Sequence, residues 1–128
     1  MTKLQATIKE FSEAIEELDR VLKKPKDEFM RDSAIKRFEL VFDLSWKTIK
    51  AFLEEQGVTC ASPVGCFKEA YRQGIIEFNE QWIELTKMRN KTVHTYDEKL
   101  AEEVYQNLPP TLGLFQKLQA AIIKNYKN

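Results

Sequence analysis

Residues 37–57, RFELVFDLSWKTIKAFLEEQG, carry their apolar side chains at a helical rather than an alternating period. Phe38, Val41, Phe42, Ile49, Phe52 and Leu53 fall on one face, with Ile35 a turn ahead of them. Leu40, Leu44 and Trp46 spread round the side, so the apolar stripe is wider than a monomeric bundle needs. Two explanations fit: a central helix buried by its own chain, or a helix that also meets another subunit. The helix begins between Asp27 and Asp32 and runs to Gln56, where Gly57 is suited to cap its C-terminus.

The flanking segments repeat this logic. Leu4, Ile8, Phe11, Ile15, Leu18 and Leu22 make one stripe on a first helix, which Pro25 ends. Ser62-Pro63 supplies an N-cap and a first-turn proline for a short helix to Arg72, closed by Gly74. Asn79 or Glu80 opens a fourth helix through Trp82, Ile83, Leu85 and Met88. Asp97 caps a last segment holding Leu100, Val104 and Leu108. Pro109-Pro110 is expected to break or kink that segment before Phe115, Leu118, Ile122 and Tyr126 resume helical spacing. The expected fold is all-α, four main helices plus a short one, in one domain over residues 1–128.

Composition narrows the function. Four glycines and four prolines in 128 residues leave few breakers, as long helices require. Twenty basic and twenty acidic residues cancel, so any nucleic-acid contact must rest on a local patch. The N-terminal run MTKLQATIKEFSEAI has no uninterrupted apolar stretch, so neither a signal peptide nor a membrane anchor is expected there, and a cytoplasmic address is the default expectation. Cys60 and Cys66, with a single histidine in the chain, make a poor zinc site and are expected to be reduced thiols. No metal and no organic cofactor is implied.

One segment departs from a plain bundle. Trp82, Leu85, Arg89 and Val93 share a stripe, so Arg89 stands where an apolar residue is expected. A guanidinium there needs a carboxylate partner, for which Glu77, Glu80 and Glu84 are near, or an anionic ligand. Asn90 and His94 are neighbours if the helix lasts that far, whereas Arg89 and His94 converge only if the helix ends between them or a second chain supplies one. Taken singly, a snorkelling arginine, a histidine at a helix end and a packed tyrosine explain themselves. Arg89, Asn90, His94 and Tyr96 together form a candidate site.

The run RNKTVHTY, residues 89–96, resembles the signature of the HEPN superfamily: arginine, a polar residue, histidine after four intervening positions, and tyrosine two further on. The segments RFELVFDLSWKTIKAFLEEQG, SPVGCFKEAYRQGII and RNKTVHTYDEKLAEEVY, in that order, look like the nucleotidyltransferase substrate-binding branch of that superfamily. The likeness extends roughly over residues 4 to 126. It implies an antiparallel, up-and-down helical bundle, forming a homodimer or higher homo-oligomer, encoded beside a minimal nucleotidyltransferase. Several relatives are toxins of toxin–antitoxin pairs that act as metal-independent ribonucleases. In those with the added tyrosine, the partner antitoxin transfers AMP to it. Other relatives are non-catalytic substrate-binding subunits, and this alternative stays open.

The residues suit such chemistry. Cleavage of RNA by its own 2′-hydroxyl needs a base, an acid and positive charge for the phosphorane. Imidazole serves either proton role near neutrality, which gives His94 its part, and Arg89 would grip the phosphate oxygens. Asn90 would orient the imidazole or donate to phosphate, and Lys87 and Lys91 would add positive potential towards RNA. With one histidine per chain, the acid–base pair requires two copies around one phosphate. AMP on Tyr96 would bring charge and bulk to the mouth of the cleft, and the ATP for it belongs to the partner.

Overall fold

The computed structural model describes residues 1–77 and 79–127, with the backbone alone at Lys127. Six α-helices occupy this span: α1 (Lys3–Leu22), α2 (Glu28–Glu54), α3 (Pro63–Arg72), α4 (Glu80–Lys91), α5 (Glu98–Gln106) and α6 (Leu108–Lys127). A single 3₁₀ turn, Thr92–His94, joins α4 to the segment before α5. No strand occurs among the described residues.

Helix ends lie where the sequence offers partners for unpaired amides. The Thr2 hydroxyl accepts from the Gln5 amide at 3.1 Å while the Gln5 side chain accepts from the Thr2 amide at 2.9 Å, a reciprocal capping box. Asp27 accepts from Met30 N–H at 2.7 Å and Ser62 from Gly65 N–H at 3.0 Å. Gly57 and Gly74, both at φ 78°, reverse the chain after α2 and α3. Behind them Val58 N–H donates to Leu53 C=O at 2.9 Å and Ile75 N–H to Ala70 C=O at 2.8 Å, closures that need the left-handed conformation glycine adopts freely.

Cross-links between helix ends set the antiparallel order. Lys3 at the start of α1 pairs with Glu54 at the end of α2, at 3.3 Å. Gln5 Nε2 donates to the Tyr126 hydroxyl at 2.6 Å, so α6 also runs against α1. Between them lies one cluster of buried residues drawn from all six helices. Its centre is a closed circuit of rings: Phe38, Phe42, Phe67, Trp82 and Phe115 touch in turn at centroid separations of 6.4, 5.9, 4.8, 5.8 and 6.2 Å. Phe11 adds α1 through an edge contact with Phe115 at 6.3 Å. Most of the wide α2 face is therefore consumed within the chain, and Leu40 remains exposed.

Three expectations are corrected. Pro109-Pro110 does not interrupt a helix. The chain breaks earlier, at Asn107, and both prolines lie in the first turn of α6, where a missing N–H costs nothing. Leu108 consequently belongs to α6, and the last helical segment is two helices. Cys60 and Cys66 are joined in a disulfide rather than free, because the turn into α3 brings their Cα atoms to 5.1 Å, within bridging range.

Arg31, unremarked in the sequence, is buried at the start of α2. Glu98 engages it with both carboxylate oxygens, at 2.7 and 3.2 Å, and Glu102 and Asp32 add contacts at 3.1 and 3.0 Å. The Arg31 hydrogen bond holds the Glu98 carboxyl below its ordinary range. Glu102 is lowered by Lys26 first and Arg31 second. Carboxyl groups depressed in the folded state stabilise it above their unfolded pKa, and that contribution is lost as pH falls through the folded values. Thermal denaturation of wild type and Arg31→Met between neutral and acid pH should give a steeper acid loss in wild type. Among core positions, Phe115→Ala should cost about 3–5 kcal/mol by urea denaturation.

Candidate functional site

Trp82 and Leu85 are buried, and the Thr86 hydroxyl donates to Trp82 C=O at 2.8 Å, so α4 is fixed along its length. One turn beyond Leu85 the same stripe delivers Arg89 towards α2. Its Nη1 lies 3.2 Å from Glu39 Oε2 and 3.1 Å from Thr92 Oγ1, and Thr92 Oγ1 lies 2.9 Å from the same Glu39 oxygen. The guanidinium thus closes a triangle with a carboxylate and a hydroxyl, with 24% of its side chain exposed. Its Nε is buried and has no hydrogen-bond partner among the described residues. The carboxylate partner is Glu39 of α2 rather than Glu77, Glu80 or Glu84, and Glu84 instead pairs with Lys87 at 3.1 Å.

Helix α4 stops at Lys91, between Arg89 and His94, and the chain tightens into the 3₁₀ turn. Tightening rotates the register. Thr92 becomes buried while Val93, expected on the apolar stripe, is 64% exposed. Asn90 and His94 therefore do not share a continuous helical face, and no hydrogen bond joins them among the described residues. Asn90, Lys87 and Lys91 are all exposed.

Past the turn, Asp97 N–H donates to His94 C=O at 3.0 Å, and the Asp97 carboxylate caps α5 by accepting from Lys99 and Leu100 N–H at 2.9 and 3.3 Å. This closed backbone sets His94 and Tyr96 side by side. Nδ1 of His94 is 3.3 Å from the Tyr96 hydroxyl, with the rings edge to face. Both side chains are exposed, Tyr96 at 82%. Of the expected site residues, then, His94 and Tyr96 touch directly, whereas Arg89 stands apart in its triangle on the other side of the turn.

Glu39 and Thr92 were not singled out in the sequence. Glu39 is one charge among many on α2, and only its half-buried position between Phe38 and Val41 hints at a partner. Beside the site, an open groove of about 670 Å³ runs between α4 and the α5–α6 pair. Leu85, Met88 and Val104 line it, and Lys87 and Lys91 share its walls with Glu84 and Glu103, so its charge is mixed. Among the described residues, no group of three histidine, cysteine or acidic side chains is arranged to hold a metal ion. No helix among them is long and apolar enough to cross a membrane.

Residues 1–124 match the family described as nucleotidyltransferase substrate binding protein like. A Haemophilus influenzae protein named "Probable ribonuclease HepT" is 35% identical over 81 residues, 59% of this chain and 55% of that relative. The match thus spans about half the length of the relative. Among solved structures, a Thermus thermophilus protein superposes with a TM-score of 0.82 at 30% identity, covering 88% of this chain and 98% of the other. A Haemophilus influenzae structure, described as revealing the fold of a substrate-binding domain of a nucleotidyltransferase, superposes at 0.70 with 25% identity, covering 93% of this chain and 96% of the other. The helical bundle and its RNKTVHTY turn define a HEPN-class protein. The chain belongs to the nucleotidyltransferase substrate-binding protein family.

Removing one member of a half-buried triangle leaves an arginine short of its counter-charge. Glu39→Gln should lower stability by about 1–2 kcal/mol, less than for a fully buried pair, and the loss should largely vanish in an Arg89→Ala background. Chemical denaturation of the four proteins of this cycle measures the coupling.

Proposed function

We propose that this chain is the toxin of a HEPN–nucleotidyltransferase toxin–antitoxin module: a metal-independent endoribonuclease that works as a dimer and is silenced by AMP transfer to Tyr96. The observation that carries this reading is the contact between the Tyr96 phenol and His94 on an exposed turn. A group placed on that oxygen stands against the imidazole and blocks it. The family match supports a nucleotidyltransferase as the partner that would do so, and the relative named as a probable ribonuclease supports RNA as the substrate.

In this mechanism the 2′-oxygen attacks the adjacent phosphorus and the 5′-oxygen leaves. One His94 takes the 2′-proton and the His94 of a second copy protonates the leaving oxygen. Arg89 meets the phosphorane charge, its fork oriented by Glu39 and Thr92. Asn90, Lys87 and Lys91 are exposed on the same stretch and assist in holding RNA. A second reading, a non-catalytic subunit that presents a substrate or Tyr96 to the nucleotidyltransferase, draws on a specific feature: Glu39 already occupies part of the guanidinium edge a phosphate needs.

Expression of wild type and His94→Ala in a bacterial host lacking the partner separates the two. The toxin reading expects growth arrest with fragmented RNA in wild type and neither in His94→Ala. Intact RNA and normal growth with both proteins would transfer the assignment to the binding subunit.

A further inference from the structure

The mechanism above uses His94 towards RNA and Tyr96 as an acceptor, but leaves their mutual contact without a chemical role. A phenol is a poor nucleophile while it keeps its proton, and a positioned base within hydrogen-bond reach improves it. The Tyr96 oxygen has one such group beside it, Nδ1 of His94 at 3.3 Å. The contact is built in by the backbone. The 3₁₀ turn ends at His94, Asp97 N–H returns to His94 C=O, and the Asp97 cap begins α5 immediately afterwards. The backbone thus keeps the two residues within reach of each other. Both also face solvent, where the active site of another protein can reach the phenol.

We infer that His94 is the general base for the modification of Tyr96, so that the residue proposed to cleave RNA also promotes its own silencing. The inference rests on the AMP-transfer reading given above and adds the chemistry of the acceptor side. With Nδ1 accepting from the phenol, the neutral imidazole carries its own proton on Nε2. As the partner presents ATP, the Tyr96 oxygen forms a bond to the α-phosphorus. The bond from that phosphorus to the oxygen bridging it to the β-phosphorus breaks, and pyrophosphate leaves with the electron pair. The phenol proton passes to Nδ1 of His94, giving a transient imidazolium that releases it to solvent. The product is a tyrosyl phosphodiester whose phosphate stands beside the imidazole. A chain that has lost His94 would need no silencing, and by this chemistry it would also be modified slowly.

The test uses the full chain, the partner nucleotidyltransferase of the proposed module, and ATP labelled at the α-phosphate, with the rate of label transfer to Tyr96 followed by intact mass and peptide mapping. Wild type, His94→Ala and His94→Gln are compared. Each is also made with Tyr96 replaced by 3,5-difluorotyrosine, whose more acidic phenol depends less on a base. His94→Ala should slow transfer on the order of a hundredfold, the lower range for a general base, and the fluorinated acceptor should recover most of that loss. Equal rates in wild type and His94→Ala would overturn the inference while leaving AMP transfer intact. A loss that the fluorinated acceptor does not relieve would also overturn it, by giving His94 a merely spatial role. Absence of label on wild-type Tyr96 would remove the AMP-transfer reading itself. Because His94 is exposed, its replacement leaves the core untouched, and circular dichroism of each variant checks this.

Discussion

The ring circuit through Phe38, Phe42, Phe67, Trp82 and Phe115 is the constraint on which the rest of the structure depends. It ties α2, α3, α4 and α6 to one another at a single level of the bundle, and interlocked rings tolerate little sliding. Trp82 is the contribution of α4, and it fixes the rotation of that helix about its axis. Once Trp82 and Leu85 point inward, the next residue on the stripe must also turn towards α2. That residue is Arg89. A charged side chain is thus delivered to the edge of the core by the packing of apolar ones, and it settles there because Glu39 meets it.

Helix α2 then holds the motif from both sides. Glu39 binds Arg89 and Thr92 at the end of α4, and Arg31 binds Glu98 and Glu102 at the start of α5. The residues between these anchorages include His94 and Tyr96. Each anchor joins a covered guanidinium to carboxylates, and stripping the carboxylates would leave that guanidinium short of its counter-charge. The result is an exposed turn with fixed ends. Such a turn displays its side chains to a partner without the ordering cost that a free loop would incur on binding.

Much of this was legible in the sequence. Stripes of three and four residues located α1, α2 and α4, and Asp27, Ser62 and Asp97 mark helix starts by the chemistry of their oxygens. Gly57 and Gly74 mark ends because positive φ is required there. Other features had no local signal. The partners Glu39 and Arg89 come from different helices, and Arg31 finds Glu98 67 residues away, so neither pair shows in a periodic pattern. Val93 was misplaced because periodicity continues an α-helix through a point where the backbone tightens to 3₁₀. Pro109-Pro110 looks the same in sequence whether it breaks a helix or opens one. The difference lies in Asn107, whose turn ends α5 one residue before the first turn of α6. The cysteine pair was judged by compartment and not by the turn that brings its members together.

The candidate site is mechanically uneven, and this bears on how it would meet RNA. His94 and Tyr96 lie in solvent, where their contact is readily exchanged for water. Arg89 is three-quarters covered and already carries a counter-charge. A phosphate approaching it does not find a vacant cation. It must share the guanidinium with Glu39, using the edge that the carboxylate leaves open. Carboxylate and phosphate repel each other across the same arginine, so a lone phosphate contact gains little. A second chain changes the balance. In the proposed dimer, two arginines around one phosphate would supply two open edges against one dianionic transition state, and excluding water between the copies would strengthen every charge interaction there. In the proposed reading, the Glu39–Arg89 pair is thus compatible with a site completed by a second copy. The ion pair orients the arginine while leaving one edge of its fork for a ligand.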